Sequence, residues 1–104
     1  MASKYKNVRC TFDGKKFDSK AERDRYIELT ILLRVQEIRD LRTQVKFPIE
    51  IAGKKICNYI ADFTYYDKDG NFIVEDKKGG ILTSVYRLKK RLMKAVHGID
   101  IKET

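Results

Sequence analysis

The first regular pattern in the chain is a run of apolar side chains at helical spacing between Tyr26 and Val35. Ser19 and Glu22 precede it with the spacing of a capping box, in which a serine and a glutamate satisfy the free amides of a helix start. We therefore predict a largely apolar helix from about residue 20 to residue 36. A short hairpin is predicted ahead of it, with strands 8–12 and 15–17 joined by an Asp-Gly turn.

Three strand-like segments follow, separated by two stretches of turn-forming residues. The segments are Gln44–Ile51, Ile56–Tyr66 and Phe72–Lys78. Glycines in the connections Ala52–Lys54 and Lys68–Asn71 favour tight turns. The pattern predicts an antiparallel three-stranded meander.

A second helix is predicted after Gly79–Gly80, because apolar residues recur there at helical spacing. Its predicted buried stripe consists of Val85, Leu88, Leu92 and Val96. Thr83 or Ser84 is the candidate cap, and Gly98 is predicted to end the helix. A last strand at 99–101 should return parallel to the third strand, since a strand-helix-strand crossover gives that arrangement. The expected fold is α+β, an α/β sandwich with element order αβββαβ and a mixed sheet flanked by helices.

Composition sets the scale of the protein and the charge of its partner. The 104 residues suit one domain spanning 1–104. Lys and Arg total 23 against 15 Asp and Glu, and this net charge of +8 favours nucleic acid or an anionic membrane surface. No apolar run approaches the ~20 residues of a membrane-spanning helix, and the start of the chain has no signal-peptide core. We expect a cytoplasmic protein with no membrane attachment and no nucleotide cofactor.

Cysteine and histidine are too scarce for several common kinds of site. Cys10 and Cys57 stand far apart in the chain without a Cys-x-x-Cys pair, and His97 is the single histidine. Zinc sites and histidine-based catalytic triads therefore lack the residues they need. Candidate chemistry has to come from carboxylates and lysines.

The hairpin formed by the second and third strands carries the most informative set of such residues. A tight turn at Asp69–Gly70 places Asp62 opposite Lys77 and Thr64 opposite Glu75. Asp62, Glu75 and Lys77 then share one face of the sheet. Two carboxylates in a diagonal pair can converge on one hard cation such as Mg²⁺, with the lysine beside the attacking water and the phosphate. A simple charged surface cluster is the alternative interpretation.

These residues resemble the D…(D/E)-x-K signature of the PD-(D/E)xK nuclease superfamily, and the predicted αβββαβ order resembles its restriction-endonuclease-like core. In three segments the sequence resembles small phage and prophage proteins of that superfamily. The segments are Phe17–Glu22, Tyr59–Phe63 and Val74–Gly79. Ala61 stands where the superfamily's eponymous proline would be.

The resemblance implies a role for each matching residue. Asp62 and Glu75 would bind Mg²⁺ or Mn²⁺, Lys77 would act in catalysis, and Glu22 would be a carboxylate presented by the helix. Asp76 is expected to point to the opposite face and to offer its backbone carbonyl to the metal. For Glu22, a purely structural role in the capping box remains an equal alternative.

Basic residues of the second helix are candidates for contact with the phosphate backbone. They lie away from the predicted apolar stripe, and Lys89, at its edge, is best placed to reach the sheet. The nucleic-acid-binding candidates are Lys78, Arg87, Lys89, Lys90, Arg91 and Lys94. A solvated basic surface is the alternative. We predict that Gly79–Gly80 is an exit from the strand, with close approach to a phosphate as the alternative.

Together these observations predict a Mg²⁺- or Mn²⁺-dependent DNA endonuclease acting as a homodimer, with RNA left open as a substrate. The absence of a separate DNA-reading module favours a substrate recognised by its structure, such as a flap or junction, in phage replication, recombination or packaging. A phage-encoded protein would act in the bacterial host cytoplasm. One alternative is a non-catalytic nucleic-acid-binding protein with a nuclease-like fold in a phage DNA-processing complex. Another is a basic protein-interaction module, such as an inhibitor.

Overall fold

The computed structural model describes residues 10–78 and 82–104. Its elements are β1 (Cys10–Phe12), β2 (Lys15–Phe17), α1 (Lys20–Arg34), β3 (Ile38–Ile51), β4 (Lys54–Asp67), β5 (Phe72–Asp76), α2 (Ser84–Leu92), a π-helical segment (Met93–His97) and β6 (Ile101–Glu103). The start of the predicted hairpin at Val8–Arg9 and the predicted strand exit at Gly79–Gly80 lie outside the described residues. No helix in these two ranges is long and apolar enough to cross a membrane.

Four strands form a mixed sheet in the order β3-β4-β5-β6. The first three are antiparallel neighbours, and β6 runs parallel to β5, as predicted, but two residues further along the chain. Ala52 and Gly53 have φ values of 53° and 78°, the left-handed pair that a two-residue hairpin turn requires. The α+β class and the mixed sheet are therefore confirmed.

Helix α1 packs on one face of the sheet and builds the first core. Its N-terminus is capped by Ser19, whose Oγ accepts a hydrogen bond of 3.1 Å from the Glu22 amide. Tyr26 and Leu29 are buried against Phe63, and the rings of Tyr26 and Phe63 stack with centroids 6.3 Å apart. The helix ends two residues before the predicted boundary.

Helix α2 and the π-helical segment pack on the opposite face and build the second core. Thr83 caps α2 through a hydrogen bond of 3.1 Å from the Tyr86 amide, and Gly98 ends the helical region with φ of 68°. Met93 is fully buried and belongs to one cluster with Val74 and Ile101.

The predicted buried stripe of α2 is wrong. Val85 and Leu88 are 62% and 54% exposed, Val96 is 36% exposed, and Leu92 is only partly buried. The face that meets the sheet instead carries Tyr86 and Met93, separated by two turns, with the half-buried Lys89 and Lys90 between them. The methylene stems of lysines can cover apolar surface while their ammonium groups reach solvent. Lys89 and Lys90 count as polar positions in the sequence pattern, so the pattern did not reveal the helix face that packs on the sheet.

Strand β4 changes the face that it buries at Asp62. Tyr59 and Ala61 belong to the second core, whereas Phe63 and Tyr65 belong to the first. Strict alternation along a strand would have put all four on one side of the sheet. On the neighbouring strand, Gln44 faces this position and has a left-handed φ of 53°. Asp62 therefore lies where the backbone is irregular on both strands.

We predict that Met93→Ala lowers the free energy of unfolding by about 2–5 kcal/mol, because it empties a fully buried position. Leu88→Ala, on the exposed side of the same helical region, should change it by no more than about 0.5 kcal/mol. Urea denaturation of both variants measures the difference. Equal losses would contradict the observed orientation of α2.

Candidate functional site

The register between β4 and β5 decides which carboxylates share a face. Phe63 lies opposite Glu75 and Thr64 opposite Val74, so the predicted pairing of Thr64 with Glu75 is wrong by one residue. A shift of one residue turns every side chain of the strand to the other face.

The cause is a three-residue loop, Lys68–Gly70, in place of the expected two-residue turn. The Asp67 carboxylate accepts hydrogen bonds of 3.0 Å from the Asp69 amide and 2.8 Å from the Asn71 amide. The Asp67 amide donates to the Asn71 carbonyl, and Gly70 has φ of 87°.

As a result, Glu75 points toward α1 and away from Asp62. Its carboxylate is fully buried and accepts from Arg25 Nε at 2.6 Å, Arg25 Nη2 at 3.0 Å and the Tyr65 hydroxyl at 2.6 Å. Burial would raise the pKa of Glu75, but the hydrogen bonds from Arg25 and Tyr65 outweigh it, and the pKa is lowered. The geometry makes Glu75 one partner of a satisfied buried ion pair between α1 and the sheet.

Asp62 and Asp76 meet where the ladder between β4 and β5 ends. The Asp62 amide donates to Asp76 Oδ1 at 2.8 Å, and the Lys77 amide donates to Asp62 Oδ2 at 3.0 Å. These side-chain bonds take over from the backbone ladder as the two strands separate. Asp76, expected to offer its carbonyl, instead uses that carbonyl to accept from the Thr104 amide and presents its carboxylate to Asp62.

Glu22 joins the two aspartates from the first turn of α1. Gln44 Nε2 lies 3.2 Å from Glu22 Oε2 and 3.5 Å from Asp62 Oδ1, so one amide group connects both carboxylates. The Glu22 carboxylate therefore turns toward the sheet, and only the serine half of the predicted capping box is formed. Because Glu22 is buried, its placement is a feature of the fold.

Within the part of the chain that the structure describes, more negative than positive charge surrounds Glu22 in the acidic cluster, which is defined as Glu22, Asp62 and Asp76. Burial, followed by the charges of Asp62, Asp18 and Asp76, raises the pKa of Glu22 to about 7. Burial also raises the pKa of both Asp62 and Asp76, although the hydrogen bonds from backbone amides oppose that change. Carboxylates held together in this way favour a bound cation or a proton.

Lys78 is a cation whose charge reaches all three carboxylates of the acidic cluster. Its charge lowers the pKa of each of the three carboxylates, and its Nζ lies 4.0 Å from Asp76 Oδ2. The ammonium also lies 4.1 Å from the centre of the Tyr86 ring. Lys77, by contrast, contributes its backbone amide, and within the described residues its ammonium makes no ion pair with the cluster.

The placement of the Asp76 carboxylate and the Lys78 ammonium beside Asp62 was not predicted from the sequence. Asp76-x-Lys78 has the same acid-x-lysine spacing as Glu75-x-Lys77, so the motif fits the chain in two registers. Asp67 directly before Lys68–Gly70 was the available signal, because an aspartate that caps its own turn favours a longer loop.

The basic residues of α2 divide into paired and more open groups. Lys90 bonds Glu103 at 3.0 Å and Lys94 bonds Asp100 at 2.9 Å. Arg87 and Arg91, four residues apart on one helix face, are exposed. Lys89 lines the same groove as Asp76 and Lys78.

The number and placement of the carboxylates in the acidic cluster decide how a divalent cation could bind there. Across residues 10–78 and 82–104, no three Asp, Glu, His or Cys side chains converge tightly enough to form a ready-made metal cage. Mg²⁺ nevertheless binds through as few as one or two carboxylates and keeps several waters. Carboxylate oxygens oriented by amide donors, with a shortage of positive charge around Glu22, fit such a cation.

Comparison with known proteins identifies the family of the chain. It belongs to the family described as "Protein of unknown function (DUF1064)", whose model matches residues 2–104. No curated protein and no solved structure shows significant similarity to it.

We predict that Arg25→Met lowers the free energy of unfolding by about 3–5 kcal/mol, because it leaves Glu75 charged and buried without its partner. Arg23→Met, on the same helix but in an exposed pair with Asp24, should cost at most about 1 kcal/mol. The double variant Arg25→Met/Glu75→Leu should recover much of the loss. Chemical denaturation measures all three variants, and a mild Arg25→Met would contradict a structural role for the pair.

We also predict that Glu22 makes the protein less stable as the pH rises from about 4.5 to 7 in the presence of a chelator. Its folded-state pKa of about 7 lies above the ordinary value of 4.5, so the folded state binds the proton more strongly and loses that advantage through this window. The Tm of wild type minus the Tm of Glu22→Gln should therefore fall with rising pH, because only wild type loses stability through the ionisation of Glu22. A constant difference from pH 5 to 8 would show that Glu22 ionises normally.

Proposed function

We propose that this protein is a Mg²⁺- or Mn²⁺-dependent DNA endonuclease with a restriction-endonuclease-like core of the PD-(D/E)xK type. The observation that carries the proposal is that Glu22, Asp62 and Asp76 are neighbours of one another and of Lys78 at the fork between β4 and β5. The order of α1, the meander, α2 and β6 supports it, because the same order accompanies this motif in that superfamily. The proposed motif is Asp62…Asp76-x-Lys78, which replaces the expectation for Glu75 and Lys77.

In this proposal the cation binds through one or two carboxylates of the acidic cluster and keeps several waters, and the neighbouring amides hold those carboxylates in place. Gln44 and the Lys77 amide fix both oxygens of Asp62, and the Asp62 amide fixes one oxygen of Asp76. Glu22, anchored by α1, adds a further negative charge beside that cation. The cation supplies stabilisation of the negative charge that builds on the phosphate during hydrolysis.

Lys78 is proposed to act on the phosphate and on the attacking water. Its Nζ lies beside Asp76, so its ammonium can donate hydrogen bonds to a phosphate oxygen and orient a water molecule next to it. The Tyr86 ring beneath the ammonium restricts where the lysine can swing. Neither aspartate carboxylate is left free to rotate, which keeps the reacting groups in place.

The basic residues of α2 are proposed to bind the DNA backbone. Arg87 and Arg91 are exposed and available for this contact. Lys89 lines a groove together with Asp76 and Lys78, so the basic surface extends to the acidic cluster. A homodimer remains a prediction, and the exposed Val85 and Leu88 on the same helix support it because apolar side chains favour burial between subunits. A role in phage DNA processing remains part of the proposal.

A non-catalytic nucleic-acid-binding protein is the second candidate. The observation that favours it is that no ready-made metal cage occurs within the described residues. It predicts binding of DNA without hydrolysis in any divalent cation.

We predict that wild type cuts at least one member of a panel of linear duplex, single-stranded, flapped and four-way-junction DNA in Mg²⁺ or Mn²⁺. Asp62→Asn, Asp76→Asn and Lys78→Ala should each lower the single-turnover cleavage rate by roughly 10²–10⁴-fold, since each removes a group that acts at the site of cleavage. Lys77→Ala should keep most of the activity, because its backbone amide survives the substitution.

Gel assays under single-turnover conditions measure these rates, and circular dichroism checks that each variant is folded. Loss of activity in Lys77→Ala but not in Lys78→Ala would contradict the role proposed for Lys78 and return it to Lys77. DNA binding without cleavage by wild type would favour the second candidate.

A further inference from the structure

A pocket of about 320 Å³ lies near the loop that joins β4 to β5. The side chains that define this aromatic pocket come from three strands and are those of Asp40, Arg42, Phe47, Thr64, Tyr66 and Phe72. Phe72 precedes Val74 of the second core by two residues, so both project from the face of the sheet that carries α2. The aromatic pocket is therefore on the same side of the sheet as Asp76, although the described residues that line it include none of the acidic cluster.

Two aromatic rings in the wall of the pocket form a surface for stacking. Tyr66 and Phe72 are directly paired across β4 and β5, and their ring centroids lie 5.1 Å apart at an angle of 48°. Tyr66 is half-buried, and Phe72 is 44% exposed. Rings presented in this way on a sheet can stack against other flat rings, including the bases of a single strand.

A bulge in β3 brings two arginines to these rings. The pairing with β4 shifts between Arg39, which lies opposite Tyr66, and Arg42, which lies opposite Thr64. Residues three apart on a regular strand face opposite sides of the sheet. Here the Arg39 guanidinium lies 4.7 Å from the centre of the Tyr66 ring, and Arg42 lines the same pocket as that ring. Asp40, inside the bulge, has a left-handed φ of 55°, so β3 holds a strained conformation at the point where it presents both guanidiniums.

The charges around the pocket favour an anionic ligand with flat rings. The Asp40 carboxylate accepts a hydrogen bond of 3.5 Å from Arg39, and Arg42 adds a second positive charge. The whole chain has a net charge of +8. Arginine pairs with phosphates and also stacks on aromatic faces, so rings flanked by guanidiniums match bases joined by phosphates. An uncharged apolar peptide would match the rings but leave the arginines without partners.

We propose that the aromatic pocket binds an unpaired stretch of the DNA substrate by stacking a base against Tyr66 and Phe72, while Arg39 and Arg42 contact its phosphates. The inference rests on the proposed nuclease function and names the substrate class as DNA with a single-stranded stretch. In a duplex the faces of the bases are stacked on their neighbours, whereas an unpaired strand offers them to the rings.

The pocket binds a nucleotide that flanks the site of cleavage. Phe72 precedes Asp76 by four residues of one strand, a rise of about 13 Å. This separation fits within the ~4–16 nucleotides that single-strand-binding folds contact. The stacked base is therefore held apart from the phosphate that is cut.

Equilibrium binding in EDTA tests the aromatic pocket without any cleavage. The fluorescein-labelled probes are oligothymidylate, an abasic strand of the same length that keeps the phosphates but has no bases, and a blunt duplex. Wild type should bind oligothymidylate roughly tenfold more tightly than the abasic strand, the effect of about one stacked base. Phe72→Ala and Tyr66→Leu should remove most of this preference and leave the affinity for the duplex unchanged. Tyr66→Phe, which keeps the ring, and Ile56→Ala, an exposed position of β4 outside the pocket, should retain the preference.

A fluorescence reporter shows where the bases bind. Because the chain contains no tryptophan, Phe72→Trp places a single indole in the aromatic pocket. Saturating oligothymidylate should quench its emission, and the abasic strand should leave it unchanged, since only a base can stack on the indole. Ile56→Trp is the matched control and should respond equally to both strands. This variant keeps an aromatic ring at position 72, so the test stands even where a truncated variant fails to fold.

The outcomes separate the pocket from the nuclease. An unchanged preference for bases in Phe72→Ala and Tyr66→Leu would overturn the pocket proposal even if the protein cuts duplex DNA. Equal losses of affinity for duplex and single strand would also overturn it, because they would indicate a general effect on charge or folding. Ring-dependent binding of bases without cleavage in Mg²⁺ or Mn²⁺ would support the pocket and contradict the nuclease.

Discussion

The hydrogen bonds that Asp67 makes to its own loop constrain the rest of the structure. They require three residues between β4 and β5, and this count sets the register of the hairpin. The register sends Glu75 to the α1 side and Asp76 to the α2 side. Both the buried ion pair that joins α1 to the sheet and the acidic cluster at the fork follow from that choice. A two-residue turn would have exchanged the two carboxylates.

The two adjacent carboxylates illustrate opposite ways of placing charge in a small protein. The charge of Glu75 is balanced within the fold by Arg25, and hydrogen bonds from Arg25 and Tyr65 lower its pKa. Asp76 lies among other carboxylates, with Lys78 as a nearby cation, and its pKa is raised. Stability is served by the first arrangement. The second leaves unbalanced charge at one place, a common property of sites that bind a ligand.

The sequence predicted most of the architecture, because apolar spacing and turn residues are local signals. The four-stranded mixed sheet, the Ser19 cap and the end of α2 at Gly98 were all within its reach. The orientation of α2 was not, since Lys89 and Lys90 use their stems as apolar surface. Asp62 and Glu22 were both candidates, with the cap as an equal alternative for Glu22, and the structure places them on either side of the Gln44 amide. The choice between Glu75 and Asp76 depended on one residue of loop length that propensity does not resolve.

The change of face in β4 gives the molecule a seam. Residues of β4 before Asp62 contribute side chains to the core under α2, and residues after it contribute side chains to the core under α1. Substitutions in one of these two cores should therefore have little effect on the stability of the other, since few side chains belong to both. The residues at the seam are the exception, because any shift of one unit against the other reaches them first. Among distant relatives, we expect the surroundings of Asp62 to vary least in backbone geometry, even where both cores have been rebuilt.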